Sequence, residues 1–397
     1  MKKYFYILAT AAIAVSCSNN DALKEVVYPD APIGFAAYAD IATKTNTNNK
    51  TNLEFFYSTF NVFGYKYTDA WKEVFDEETN EYFSTDGQGA VVYDGSGEAP
   101  SSEWGTNISG WYYEGVRYWD KFATKYQFGA YAPIEAANEV DFAYDNAAAD
   151  GVITIGTSSA KITVESTNLM ATPAQELAYT GFTKDYMTAL ANTSTSTSIS
   201  PVSLTFAHKL TKFDIKLALN DQVITNQAVV VNEITVHNMN GTSYYDSSKE
   251  SGATGFLSGW ATPVTEKQYS VKGVGNATNG YQLNLDIDDQ TAGDQNYDDF
   301  YVFEGLMIPQ TIDKANVASQ LTELTEACLY IKYTIGTEEF VGYYALANMF
   351  IGTGSENSYD FEGGKEYILT ITVGPAPIYF TPTVTAWTEV PVNYDVQ

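Results

Sequence analysis

Apolar residues alternate with polar ones in short runs along most of this chain. Tyr281, Leu283, Leu285 and Ile287 share one parity, as do Leu329, Ile331, Tyr333 and Ile335, and again Tyr367, Leu369, Ile371 and Val373. A period of two places each set on one side of an extended backbone, so these segments predict strands with one buried face. Earlier, residues 33–38, 55–67, 91–93, 111–119, 126–131 and 151–155 are separated by clusters of Gly, Asp, Asn and Ser, the spacing of a β-sandwich. Helical periodicity is sparse. Thr172-Pro173-Ala174-Gln175-Glu176-Leu177 predicts one short helix, with Thr172 as the cap and Pro173 in the first turn.

Residues 202–219 break the regularity. Val202, Leu204, Phe206 and Leu210 share one parity, whereas Phe213, Ile215, Leu217 and Leu219 share the other. A β-bulge near Thr211-Lys212 would restore a single buried face. The Ser- and Thr-rich run 192–200, ending at Pro201, places a domain boundary at 200–201. The expected division is residues 33–200 and 201–397, and no repeat of short fixed period is visible.

The N-terminus changes the picture from fold to compartment. Lys2 and Lys3 precede an apolar run over residues 4–15, too short at about a dozen residues to span a bilayer, which reads as a signal peptide. The run ends in Ala14-Val15-Ser16-Cys17, matching a lipobox, so residues 1–17 are expected to be signal peptide and lipobox, with Cys17 acylated as the mature N-terminus. Each buried CH₂ contributes about 0.8 kcal/mol, and the two or three chains of a bacterial lipoprotein suffice for stable membrane attachment. Residues 18–32 are polar, carry Pro29 and Pro32, and read as a tether. After the first predicted strand, residues 43–52 hold no apolar side chain. They predict an exposed, protease-sensitive loop containing Lys44 and Lys50.

Composition narrows the function classes. The 31 tyrosines, with abundant Thr, Val and Ile, suit pleated surfaces. A formal charge of −28, from 49 acidic against 21 basic residues, makes nucleic acid an unfavourable partner. His208 and His237 fall on separate predicted strands, and once Cys17 carries lipid, Cys328 has no thiol partner, so neither a structural zinc site nor an intrachain disulfide is expected. Cys328 reads as a small buried hydrophobe and His208 as a structural histidine. Asp288-Asp289 and Asp298-Asp299 lack the spacing of a calcium loop and read as solvated loop acids. No cofactor is expected.

Seven segments, spread over nearly the whole mature chain, carry a family resemblance. They are Asn61-Val62-Phe63-Gly64-Tyr65; Tyr118-Trp119 followed by Tyr126-Gln127-Phe128-Gly129-Ala130-Tyr131-Ala132-Pro133; Asn168-Leu169-Met170-Ala171; Leu204-Thr205-Phe206-Ala207-His208-Lys209-Leu210-Thr211-Lys212; Leu306-Met307-Ile308-Pro309-Gln310; Gly363-Gly364-Lys365-Glu366-Tyr367; and Val384-Thr385-Ala386-Trp387. In this order the chain resembles the fimbrillin family of Bacteroidetes surface lipoproteins, the building subunits of type V pili. The resemblance implies an all-β fold of two transthyretin-like β-sandwich domains in tandem with little helix. It further implies an outer-membrane lipoprotein precursor, proteolytic removal of the N-terminal segment, and polymerisation with other pilus subunits by strand exchange. Relatives are cleaved at an arginine. Here the single arginine, Arg117, lies well inside the first domain, so Lys44 or Lys50 would serve a trypsin-like maturation protease instead.

Three function classes compete. A pilus subunit, stalk or accessory, has reason to keep an extended apolar tail, and Val390, Val392, Tyr394 and Val396 alternate with Pro391, Asn393 and Asp395 at the C-terminus. A surface glycan-binding lipoprotein would share the leader and the sandwiches. Among Trp104, Trp111, Tyr112, Tyr113, Tyr118 and Trp119, the pair Trp104 and Trp111 is the freer to stack on a host or bacterial surface ligand, since Tyr118-Trp119 belongs to a family core motif. An exported hydrolase ranks third, because no catalytic pair of carboxylates can be picked out, and the chain is not read as an enzyme.

Overall fold

The computed structural model describes residues 33–40, 50–53, 57–75, 91–93, 110–113, 117–148, 150–164, 184–193, 201–219, 229–270, 281–283, 300–315, 324–352, 354–373 and 379–387. The strands of the first half are β1 (Phe35–Asp40), β2 (Lys50–Asn52), β3 (Thr59–Tyr67), β4 (Trp71–Phe75), β5 (Val91–Tyr93), β6 (Trp111–Tyr112), β7 (Lys125–Ala132), β8 (Val140–Ala143), β9 (Val152–Ile155), β10 (Ile162–Thr163), β11 (Met187–Thr193) and β12 (Val202–His208). There follow β13 (Thr211–Leu219), β14 (Val229–Ser243), β15 (Tyr245–Asp246), β16 (Phe256–Leu257), β17 (Trp260–Ala261), β18 (Val264–Ser270) and β19 (Tyr281–Leu283). The last seven are β20 (Phe300–Met307), β21 (Gln310–Asp313), β22 (Cys328–Ile335), β23 (Glu338–Ala345), β24 (Ser358–Phe361), β25 (Lys365–Val373) and β26 (Tyr379–Ala386). The α-helix Leu346–Ile351 and two short 3-10 turns complete the regular structure among the described residues, so the fold is all-β with multiple sheets.

The first sheet runs β2-β1-β12-β11-β7-β3-β5-β6, with β4 also on β3. It curls until its two ends meet. Phe35 of β1 lies 5.7 Å, ring to ring, from Tyr113, which follows β6, and Phe60 of β3 packs against both Trp111 of β6 and Phe206 of β12. Alternate side chains of β12 (Val202, Leu204, Phe206) and of β7 (Tyr126, Phe128, Ala130) fill the enclosed core.

A second core lies between two sheets, ordered β20-β13-β25-β26 and β10-β14-β22-β23. Phe213, Ile215, Tyr367, Leu369, Ile371 and Val373 meet Val231, Ile234, Leu329, Ile331, Tyr333 and Ile335 across it, so the alternations in residues 329–335 and 367–373 do bury one face each. A small sheet, β16-β17-β15-β9-β8, takes strands from both halves and shares a junction core that includes Phe142, Tyr245, Trp260, Leu306 and Trp387.

The parity switch over residues 202–219 has a different cause from a bulge at Thr211-Lys212. β12 pairs with β1 and β11 in the first sheet, whereas β13 pairs with β20 and β25 in the second. Between them Lys209 and Leu210 carry the chain across: Lys209 donates its backbone N–H to Tyr186 O, and Leu210 O accepts from Gly364 N–H. Leu210 is buried in the junction core rather than with either neighbour. Each strand satisfies its own core, and the parity changes because the cores differ. The register irregularity that does occur falls between Ile215 and Lys216, where β13 faces β20. β12, which follows the boundary expected at 200–201, belongs to the first sheet. The helix expected over residues 172–177 and the acidic pairs Asp288-Asp289 and Asp298-Asp299 lie outside the described residues.

Candidate functional site

The strand β1 is positioned by partners on both edges. It runs parallel to β12, with Phe35 opposite Val202 and Ala39 opposite Phe206, and antiparallel to β2, with Tyr38 opposite Asn52 and Asp40 opposite Lys50. The composition Phe-Ala-Ala-Tyr-Ala lets a strand with small side chains lie deep. Phe35, Ala37 and Ala39 face the first core, and Ala36 on the other face is buried as well. Phe35 is the anchor, packed edge-on against Phe60 and Phe128 and tilted against Tyr113.

The entry to β1 is pinned by polar groups. Ile33 donates its N–H to Arg117 O at 2.8 Å, and Ile33 O accepts from the Tyr113 hydroxyl at 2.6 Å. Burial pushes the Tyr113 phenol up to about 12, against smaller lowering effects of Arg117, so the hydroxyl stays protonated and donating. Gly34 O accepts from Val202 N–H at 2.7 Å, which starts the parallel ladder. Removing β1 would thus uncover the β12 edge, two strong acceptor and donor sites, and the apolar bed beneath Ile33 and Phe35.

The far end of β12 meets the far end of the described chain. His208 Nδ1 lies 2.7 Å from Asp185 Oδ2, and its ring stacks on Trp387 at 3.8 Å with an interplanar angle of 17°. Asp185 O in turn accepts from the Tyr57 hydroxyl, whose ionisation is pushed well above the usual range by burial and by the nearby Asp185 and Glu135 charges. His208 is therefore a buried strut joining β12 to the segment that leads into the C-terminal tail. Trp387 itself donates its backbone N–H to Gly364 O.

The remaining sequence expectations divide clearly. Cys17, Lys44, Trp104 and the tail residues Val390, Val392, Tyr394 and Val396 lie outside the described residues. Lys50 is not in an open loop, because it is the first residue of β2 and pairs with Asp40. Trp111 is not available to a sugar. It is 4% exposed, held in the first core between Phe60 and Tyr93, because the curl of the sheet closes over β6. Cys328 is fully buried on β22. Tyr113 and Arg117 do not stand out in the sequence as partners of residue 33, since nothing in spacing shows that the ends of one sheet meet.

An aromatic surface arises elsewhere. Trp71 of β4 stacks on Tyr144 at 5.2 Å, with Tyr65 and Tyr67 edge-on to the pair, and Tyr144 is 41% exposed. Glu73 accepts from the Tyr65 hydroxyl, and Asn146 accepts from the Trp71 indole N–H. Tyr65, Tyr67 and Trp71 are close in the sequence, and the fold brings Tyr144 to them.

A sequence model of the fimbrillin-like family matches residues 79–387. No curated protein matches the chain. Solved structures with a similar course include a fimbrial protein from Bacteroides vulgatus, 16% identical, covering 90% of this chain and 99% of that one with a TM-score of 0.46. A putative cell adhesion protein from Bacteroides uniformis is also 16% identical, covering 90% and 98% with a TM-score of 0.38. The C-terminally truncated tip fimbrial protein Mfa3 from Porphyromonas gingivalis is 9% identical, covering 90% and 100% with a TM-score of 0.37.

Proposed function

The chain belongs to the fimbrillin-like family, and from that premise we propose that it is a structural subunit of a cell-surface pilus, exported as a lipoprotein through Cys17, cleaved near Lys44 and polymerised by strand exchange to support adhesion. The observation that carries the exchange is the placement of β1. It is a buried strand near the start of the described chain, inserted between a short edge strand and β12, and its removal would leave an apolar slot of one strand's width. Fully burying an Ile or a Phe contributes about 1.5–3 kcal/mol each, and each ladder hydrogen bond about 0.5–1.5 kcal/mol. An empty slot would therefore cost several kcal/mol, enough to drive its filling by another strand.

The alternating tail of a neighbouring subunit, Val390, Val392, Tyr394 and Val396, has the pattern to fill it, with main-chain hydrogen bonds for affinity and alternate side chains for fit. Pro391 donates no hydrogen bond and suits the start of the inserted portion. Of the two basic candidates, Lys50 already pairs with Asp40 in the β1–β2 ladder, so cleavage after it requires that ladder to open first. Lys44 falls in sequence between Asp40 and Lys50, so cleavage after it would separate β1 from β2. The partners are other copies or other pilus subunits, a trypsin-like protease, the outer membrane before assembly, and surface ligands afterwards. Deleting residues 390–397 should leave an exported, folded monomer that forms no filaments by electron microscopy, and filaments of normal length from the truncated protein would defeat the exchange. A second reading, glycan contact, finds its best platform at Trp71 and Tyr144.

A further inference from the structure

A buried cluster of charge on the second sheet serves neither the slot nor the tail. One rung of that sheet reads Leu306, Lys212, Glu366, Thr385 across β20, β13, β25 and β26. Lys212 Nζ lies 3.2 Å from Glu366 Oε1 and 3.4 Å from Asp214 Oδ2, and the side chains of Lys212, Asp214 and Glu366 are 0%, 0% and 8% exposed. Thr385 Oγ1 donates to Glu366 Oε2 at 3.0 Å. Lysine and glutamate are seldom found this deep, because desolvating the two charges costs several kcal/mol each. Joining the amine to the carboxyl abolishes both charges at once.

We propose that Lys212 Nζ and Glu366 Cδ are joined by an intramolecular isopeptide bond that the folded protein forms by itself, with Asp214 as the proton shuttle. Burial alone raises Glu366, but its polar neighbours Asp214, Lys212 and Thr385 outweigh it and hold the carboxyl below its usual range. The resting state is thus a Lys212–Glu366 ion pair with the Asp214 carboxyl beside the amine. Proton transfer within the 3.2 Å contact gives a neutral amine and a neutral acid, the forms that a water-excluded site favours. The Nζ lone pair then attacks Cδ, forming the C–N bond and placing charge on Oε2, where the Thr385 hydroxyl donates. Asp214 takes a proton from Nζ and passes one to the Oε1 hydroxyl, the Cδ–Oε1 bond breaks, and water leaves. One amine and one carboxyl become one amide and one water, nothing is oxidised or reduced, and Asp214 is regenerated.

The bond would tie β13 to β25 at directly opposed positions, across the parallel pair at the centre of the second sheet. Parallel neighbours under tension separate by shear, and a covalent rung blocks it. The test is peptide mapping of the purified full chain after denaturation and trypsin. The expected product is a branched species in which residues 210–216, uncut after Lys212, are joined to the peptide beginning at Glu366, lighter than their sum by one water. Lys212→Arg should give only linear peptides. Cleavage after Lys212 in the wild-type protein, with the Glu366 peptide recovered linear, overturns the proposal. Asp214→Ala should accumulate the branched species at least tenfold more slowly, in keeping with a positioned proton donor and acceptor; an unchanged rate removes the shuttle role assigned to Asp214.

Discussion

Phe35→Ala separates the precursor from the filament. In the precursor Phe35 is 1% exposed and its ring meets Phe60, Tyr113 and Phe128, so truncation leaves a cavity that three aromatic neighbours on separate segments cannot collapse to fill. Such a change costs about 3–5 kcal/mol, a large share of the stability of a domain of ordinary size. If β1 is excised on maturation, however, the assembled filament no longer contains residue 35, and its resistance to denaturant should match the wild type. Phe60→Ala is the control. Phe60 lies in the bed under β1, touching Trp111 and Phe206 as well, so its loss should weaken precursor and filament alike. Urea midpoints of the uncleaved precursor and dissociation of purified filaments supply the two readouts. Filaments of Phe35→Ala that dissociate as early as those of Phe60→Ala would show that β1 stays in place, and the exchange argument would fail.

Three further outcomes follow from the same reasoning. If Cys17 is acylated as proposed, Cys17→Ala should abolish detergent partitioning of the precursor, measured by phase separation, since two or more acyl chains would supply the attachment. Limited trypsin digestion should cut after Lys44 before any lysine in a ladder, with Lys332 of β22, paired on both sides by β14 and β23, surviving longest by N-terminal sequencing of fragments. Raised pH should destabilise the protein through its buried tyrosines, which burial also raises at Tyr57, Tyr245 and Tyr333; Tyr113 is shifted from 10.0 to about 12 in the folded state, so its contribution is complete below about pH 10 and is lost as pH rises towards 12. The share of Tyr113 amounts to about 3 kcal/mol, and Tyr113→Phe should make that limb of a urea-midpoint profile shallower by this amount.

Much of the fold was legible in the period of the apolar residues. Alternation at 329–335 and 367–373 predicts strands with one buried face, and those side chains do line one core. Where the expectations failed, pairing was the missing term. A strand's partner depends on where distant segments of chain come to rest, and no local pattern carries that information. Trp111 looked exposed from its Gly- and Ser-containing surroundings, yet the sheet curls over it. Residues 202–219 looked like one interrupted strand, yet Leu210 sits where the chain passes between cores.

From its sequence alone the protein was determined to be a strand-rich, acidic chain whose apolar N-terminal run ends at Cys17, because period and charge are local properties that side chains express wherever they fold. Only the tertiary structure decided that β1 lies parallel to a strand starting at Val202, that residues 33 and 117 share a hydrogen bond, and that Lys212 faces Glu366 at a sequence separation of 154. Those contacts exist because burial of apolar faces outweighs the slowly growing entropy of closing long loops, and that balance belongs to the folded chain as a whole rather than to any segment of it.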